Sequence, residues 1–395
     1  EDLWRRLGLS VDWQLTYATI GKPAQRASQV SFLRLLARGE AYQVEAPTLW
    51  DADFRTAVAQ AELEDRERPG AYHRIRFGVE GTPGLHIDID TTRPELVPAC
   101  VALVPHPDDA RYSDLIARGA RVLTPLFGVP VPIKAHALAD PEKGTGIAMI
   151  CTFGDVTDVI WWRELQLPLR AIIQANGALR PLAWGSDGWE STGPERAQTA
   201  YDQLAGLSAE KAPAGIVDLL RESGDLMGDP RPIVHAVKFF EKGDRPLEIL
   251  TSRQWFIRTL DKRDALIRLG SEMQWYPAYM RSRYENWVNG LNGDWCISRQ
   301  RFFGVPFPLW YPVRDDGTID HARPIVPDES RLPLDPSTDV PDGYPADQRN
   351  APGGFTGDPD VMDTWATSSL TRQIAGGWLE DPDLFARVFP MDVRP

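Results

Sequence analysis

Cysteine is scarce in this chain: 395 residues carry three, Cys100, Cys151 and Cys296, each far from the others. That excludes a disulfide framework and a Cys-x-x-Cys metal pair. Histidine is also thin, six in all, with no His-Glu-x-x-His and no two at helical spacing, so no dedicated zinc site is expected. No apolar run approaches the ~20 residues that span a bilayer, and the opening EDLWRRLGLS lacks the apolar core of a secretory leader. A cytoplasmic protein is the expectation. Basic charge falls short of acidic, 43 Lys and Arg against 56 Asp and Glu for a net −13, which argues against a general nucleic-acid coat. A local basic face stays open. Arg253, Arg258, Lys262, Arg263, Arg281, Arg283, Arg299 and Arg301 concentrate in one section, as ion-paired surface or as a phosphate track.

What is present reads as a soluble globular chain, 43% hydrophobic and 25% charged, long enough for two or three domains. The fold class expected is mixed α/β and β. The stretch SQVSFLRLLARG predicts an amphipathic helix ended by Gly39. From Tyr72 to about Arg170 the pattern becomes strand-rich (YHRIRFGVE, GLHIDID, CVALVPH, RVLTPLFGVPVPIKA, GTGIAMICTF), cut by Gly, Pro and Asp turns. TGPERAQTAYDQLAG and GIVDLLRESGDL predict helices, as does the later half of ILTSRQWFIRTLDKRDALIRLG. Residues 314 to 360, rich in Pro, Asp and Gly, predict a solvated loop insertion. The organisation expected has four sections: 1–66, 67–232, 233–280 and 281–395.

Three segments could carry chemistry. In HIDIDTTRPELVPA a strand with alternating Leu85, Ile87 and Ile89 breaks into Thr91-Thr92-Arg93-Pro94-Glu95. One explanation is a capping box, with Thr92 as N-cap and Glu95 three residues on. The other is a ligand site, since a helix start presents free N–H groups. In GTGIAMICTFGDVTD an apolar strand emerges into Asp155 and Asp158, whose i,i+3 spacing lets both carboxylates face one pocket and bind an ammonium and a hydroxyl; helix-start carboxylates are the alternative. Asp88, Asp90, Asp155 and Asp158 would also suit a divalent-metal hydrolase, although alternation places Asp88 and Asp90 on a solvated strand face. In the third section, NGDWCISRQRFFGVPFP and DPDVMDTWATSSL mix Trp295, Arg299, Gln300, Arg301, Asp363, Trp365, Ser368 and Ser369. Aromatics interleaved with polar groups suit a small-molecule pocket.

TTRPE, GTGI followed by GDVTD, LTSRQWF and GDWCISRQRFFG stand in the order found in class I aminoacyl-tRNA synthetases of the valine, isoleucine and leucine group. The chain resembles that family over almost its whole length. DVMDTWATSSL resembles the valyl branch, since isoleucyl enzymes usually show Asp-Val-Trp-Phe-Asp-Ser-Gly there, and TTRPELVPACVAL with MICTFGD resembles its archaeal and some bacterial members. The family's ATP-binding motifs, His-Ile-Gly-His and Lys-Met-Ser-Lys-Ser, do not occur here. The resemblance therefore implies a piece of a synthetase: a β-barrel-like editing domain (67–232) inserted in a split Rossmann-type catalytic domain only partly present, with 1–66 flanking it, 233–280 connecting, and 281–395 part of the second catalytic half. No cofactor is expected in this piece, ATP and Mg serving the complete enzyme, and valine activation is expected to be absent.

The activity implied is proofreading. A valine pocket is known to reject near-isosteric threonine by only ~10², so a second site must hydrolyse the error. By resemblance the partners are tRNA(Val), mischarged Thr-tRNA(Val) and its threonine-like aminoacyl ester, with no membrane and a monomeric chain. Position by position, Asp158 matches the aspartate that binds the α-ammonium, Asp155 an acid near the threonine hydroxyl, and Thr91, Thr92 and Arg93 the threonine-rich edge of the pocket, with Glu95 beside it. Leu96, Met149 and Cys151 stand where many bacterial valyl enzymes have Thr, Lys and Thr, which shifts threonine discrimination onto Asp155. Trp295 and Trp365 match residues of the valine pocket. No Ser/His/Asp or Cys/His triad is evident, so attack by a bound water, not a covalent acyl-enzyme, is expected. The rival readings are an isoleucyl editing region, a non-catalytic tRNA-binding module and a metal-dependent hydrolase.

Overall fold

The computed structural model describes residues 1–151, 154 and 156–391. It is a mixed α/β structure in two compact units, Glu1–Val44 with Gln254–Pro395, and Glu45–Arg253. The strands used below are β1 (Ala41–Asp51), β2 (Thr56–Ala57), β3 (Leu63–Val79), β4 (His86–Thr91), β5 (Cys100–Pro105), β6 (Arg121–Leu123), β7 (Pro130–Pro132), β8 (Ile147–Cys151), β9 (Arg231–Phe240), β10 (Glu248–Ile257) and β11 (Trp295–Cys296).

In the unit Glu45–Arg253, β3 is the organising strand. Its first half pairs antiparallel with β9 from Leu63↔Phe240 to Tyr72↔Arg231, and its second half with β4 from His73↔Thr91 to Gly78↔His86. The expected section limits at 66/67 and 232/233 therefore fall inside one two-stranded ribbon. The charged DRERPG stretch lies within β3, its residues alternating between exposed and half-buried. Gly70 fits there because a Cβ would come 2.7 Å from the His235 ring, so the partner strand fills the space of a side chain.

The sheet continues through β6 and β7 in the order β4-β3-β6-β7. A parallel bridge, Leu103↔Ile133, then joins it to the hairpin of β5 and β8. Every residue of β5 is buried, which explains the unbroken apolar run CVALVP, since both strand faces meet protein. One face, with Cys100, Leu103, Met149 and Cys151, joins the large core of Ile75, Phe77, Phe127 and Tyr201. The other, with Val101, Val104 and Ile150, packs against Trp161 of the helix Val156–Glu164. The helices Pro194–Asp202 and Ala212–Ser223 form where the sequence predicted them, burying Ala197, Tyr201, Ile216 and Leu220.

In the other unit, the helix Lys22–Ala37 buries Val30, Phe32 and Leu33 against Trp255, Phe307 and Trp310. It stops as predicted at Gly39, whose φ is +69°. Residues 314 to 360 correct the sequence reading. Apart from two 3-10 turns and the short strand Phe355–Gly357 they are irregular, yet Leu332, Leu334 and Phe355 are buried in the same core as Trp310. Asp316, Asp328 and Asp335, all exposed, turn the chain by accepting from backbone N–H groups two residues on, so the Pro/Asp/Gly composition produces solvated turns between a few buried apolar anchors.

Candidate functional site

Thr91 ends β4, and its hydroxyl accepts from the Arg93 N–H at 3.0 Å. The chain then enters a 3-10 turn, Pro94–Ala99, with Arg93 at the N-cap position and no side-chain cap. The capping box expected on Thr92 and Glu95 is not formed. Pro98 lies inside the turn and removes a donor that an α-helix would need. Glu95 is buried, and a buried carboxylate gains more from a cation than from a backbone N–H. Its Oε1 accepts from Arg93 Nε at 2.7 Å. From β10, Glu248 Oε2 accepts from Arg93 Nη2 at 2.8 Å. The two carboxylates hold the Arg93 guanidinium protonated, while burial pushes the Glu95 carboxyl above its ordinary range despite the cation beside it. Thr91, Thr92 and Arg93 are half-buried and form the accessible edge; Glu95 and Leu96 lie behind it.

The second predicted segment converges on this turn. Asp158 sits in the first turn of the helix that follows β8, and its Oδ2 accepts from the Gly154 N–H at 2.8 Å. The carboxylate is 6% exposed. A Cβ on Gly154 would lie 2.8 Å from Asp158 Oδ2, 3.4 Å from Cys151 Sγ and 3.6 Å from Leu96 Cδ1. That crowding makes glycine the residue that fits, and it ties Asp158 to the turn that begins at Arg93. Asp155 lies outside the described residues.

Met149 and Cys151 are part of the apolar core. Burial raises the Cys151 thiol well above its ordinary range, with Asp158 adding to the effect, and pushes Cys100 up to about 12. Both stay protonated thiols and are unfit as nucleophiles. Asp88 and Asp90 each take an arginine across the strands, Asp88 from Arg76 at 2.9 Å, and Asp90 from Arg74 at 2.9 Å and Arg231 at 2.6 Å. The face expected to be solvated is covered unevenly: the Asp90 side chain is 2% exposed and that of Asp88 33%. Among the described residues no three His, Cys, Asp or Glu side chains are grouped so as to hold a metal ion.

In the other unit, Asp363 gathers the third predicted segment. Its Oδ2 accepts from Arg299 Nη2 at 2.7 Å and from Trp295 Nε1 at 3.3 Å, and its Oδ1 accepts from the Trp365 N–H at 3.0 Å. Trp295 is half-buried and Trp365 is 58% exposed. Arg299, one of the arginines first counted with a basic surface, is fully buried. Several of the others are engaged locally: Lys262 pairs with Glu40, Arg281 with Glu285, and Arg263 donates to the Leu291 carbonyl.

A family model described as tRNA synthetases class I (I, L, M and V) matches residues 1–394. The chain belongs to the class I tRNA synthetases. The valine–tRNA ligase of Thermobifida fusca is 65% identical over 399 residues, covering 100% of this chain and 44% of that protein. That of Salinispora arenicola is 62% identical and that of Leifsonia xyli subsp. xyli 59%, each covering 100% of this chain and 45% of the relative. This synthetase chain thus spans under half the length of the relatives it matches, and the valyl branch expected from DVMDTWATSSL is the one those relatives represent. The solved ternary complex of Agrobacterium radiobacter K84 agnB2 LeuRS with tRNA and LeuAMS aligns with 96% of the chain and 47% of its own, at 16% identity and a TM-score of 0.33.

Three residues of this class I synthetase escaped the sequence reading. Glu248 reaches Arg93 across 155 positions, and nothing local marks it. Gly154 stands inside GDVTD as an ordinary turn glycine until the carboxylate beside it is seen. His73 is the cross-strand partner of Thr91; burial lowers its pKa, and its buried Nδ1 has no hydrogen-bond partner among the described residues. Directly opposed residues share a strand face, a signal available only once the register is known.

Proposed function

We propose that this chain hydrolyses the aminoacyl ester of mischarged Thr-tRNA(Val), the proofreading step of a synthetase that charges tRNA(Val) with valine. The observation that carries the reading is the meeting of Asp158 with the turn of TTRPE through Gly154 and Leu96. Two segments more than fifty positions apart thereby form one polar corner against an apolar core. Asp158, fixed by the Gly154 N–H, holds the α-ammonium of the substrate. Thr91, Thr92 and Arg93 line the edge that meets the ester and the terminal ribose. Water supplies the nucleophile, and the protein contributes placement and charge, not a strong base. The strand path β4-β3-β6-β7 with its bridge to β5 and β8 supports a barrel-like editing domain around this corner. The reaction cleaves an ester and needs neither ATP nor Mg, which we assign to valine activation in the complete enzyme.

The test is hydrolysis of pre-formed Thr-tRNA(Val) and Val-tRNA(Val) by the chain and by Asp158→Ala. Selective loss of the threonyl ester, lowered on the order of 10²-fold or more in a folded variant, is expected; wild-type turnover by Asp158→Ala would remove the anchor. The burial of Leu96, Met149 and Cys151 in the apolar core favours a second reading, a tRNA-binding module without turnover. Binding of tRNA(Val) with neither ester cleaved would select it.

A further inference from the structure

A guanidinium has three nitrogens and five N–H donors. In Arg93, Nε is taken by Glu95 at 2.7 Å and Nη2 by Glu248 at 2.8 Å. Among the described residues Nη1 has no hydrogen-bond partner, and a quarter of the side chain is exposed, against 2% for Glu95 and 10% for Glu248. A cation fixed on two sides by nearly enclosed carboxylates has lost its rotational freedom before any substrate arrives. What it still offers is the nitrogen Nη1.

We infer that Glu248 is a positioning residue for the ester hydrolysis: with Glu95 it orients the Arg93 guanidinium so that Nη1 meets the carbonyl oxygen of the aminoacyl ester. This rests on the editing reading above. As the water oxygen adds to the carbonyl carbon, the electron pair of the C=O bond moves onto that oxygen, where Nη1 donates. The pair returns as the bond from carbon to the ribose oxygen breaks. A proton from the water passes to the ribose oxygen, giving free threonine and a free ribose hydroxyl. The charge balance also fits. One guanidinium between two carboxyl groups carries no net positive charge so long as one of them is ionised, so the corner does not repel the substrate's ammonium. Glu248 separates cleanly from the turn itself, because it comes from β10 and its substitution leaves the sequence from Thr91 to Ala99 intact.

The experiment compares the chain with Glu248→Gln, Glu248→Asp, Arg93→Lys and the Glu248→Gln/Arg93→Lys double variant. It measures kcat and KM on pre-formed Thr-tRNA(Val), and thermal unfolding. Glu248→Gln is expected to lower kcat at least tenfold with KM within twofold, Glu248→Asp to restore part of the loss, and Glu248→Gln to cost less than twofold once Lys replaces Arg93. A folded Glu248→Gln with wild-type kcat overturns the inference. So does an equal loss in both backgrounds, which a purely structural role would produce. If Glu248→Gln does not fold, Arg93→Lys decides: a lysine cannot be held at two nitrogens and offer a third, so a tenfold loss in the folded variant supports the inference and wild-type kcat overturns it. A wild-type chain that cleaves neither ester overturns the editing reading itself, and is recognised by the inactivity of the parent chain.

Discussion

Two arginines, one in each unit, show how the same ion pair serves different ends. Arg299 is wholly enclosed, bonded to Asp363 and to the carbonyls of Cys296 and Ser298; its carboxylate also takes the N–H groups of Trp295 and Trp365. Arg93 lies between two carboxylates, a quarter exposed, with one nitrogen unmatched among the described residues. Full enclosure with the cation bonded to a carboxylate makes a staple. Partial enclosure leaves Arg93 able to meet a partner from outside the chain.

The largest effect should fall on the staple. Arg299→Met leaves Asp363 buried without its cation, and loss of one partner of a buried pair costs about 3–5 kcal/mol. Denaturant unfolding checks this, and a loss under about 1 kcal/mol would dissolve the contrast with Arg93.

Next comes pH. Asp360 is buried near Asp358, and desolvation followed by that neighbouring charge lifts its pKa to about 7, against the hydrogen bond from Gln300. A carboxyl raised in the folded state contributes stability that is complete below the unfolded value near 4 and is lost as pH rises through about 7. Between pH 4 and 8 this group should withdraw roughly 2–4 kcal/mol. Asp360→Asn should flatten that part of the pH dependence, and an unchanged slope in the variant would refute the assignment.

At the site end, Gly154→Ala sets a Cβ 2.8 Å from the Asp158 carboxylate. Overpacking of this kind costs about 1–3 kcal/mol, and the displaced Asp158 should reduce threonyl-ester hydrolysis more than the melting temperature suggests. Equal and small changes in both would mean that the corner is loose. The smallest effect belongs to an exposed pair. Arg34 and Glu329 meet at 2.9 Å with more than two fifths of each side chain in water, so Arg34→Ala should cost about 0–1 kcal/mol. A larger value would show that exposure is the wrong measure for ranking these pairs.

The strand β4 and the second half of β3 follow from alternation, β5 and β8 from apolar runs, the helices from apolar period and a terminal glycine, and the candidate segments from their order along the chain. The capping box at Thr92 failed because local pattern cannot weigh a distant carboxylate: Glu95 had a cation to answer, and Glu248 completed it from β10. The solvated insertion held at its turns and failed at its apolar residues for a related reason. Composition shows where turns form, but not whether Leu332, Leu334 and Phe355 find an apolar surface to cover.

By itself the sequence determined what short-range physics controls: which stretches alternate or repeat, where Gly39 ends a helix, and which polar residues interrupt strands. Tertiary structure decided what depends on partners far along the chain. Arg93 met Glu248 across 155 positions, Arg299 met Asp363 across 64, and Asp158 met the turn at Leu96. Burial and charge act through distance in space, and the order of residues does not contain that distance until the chain has folded.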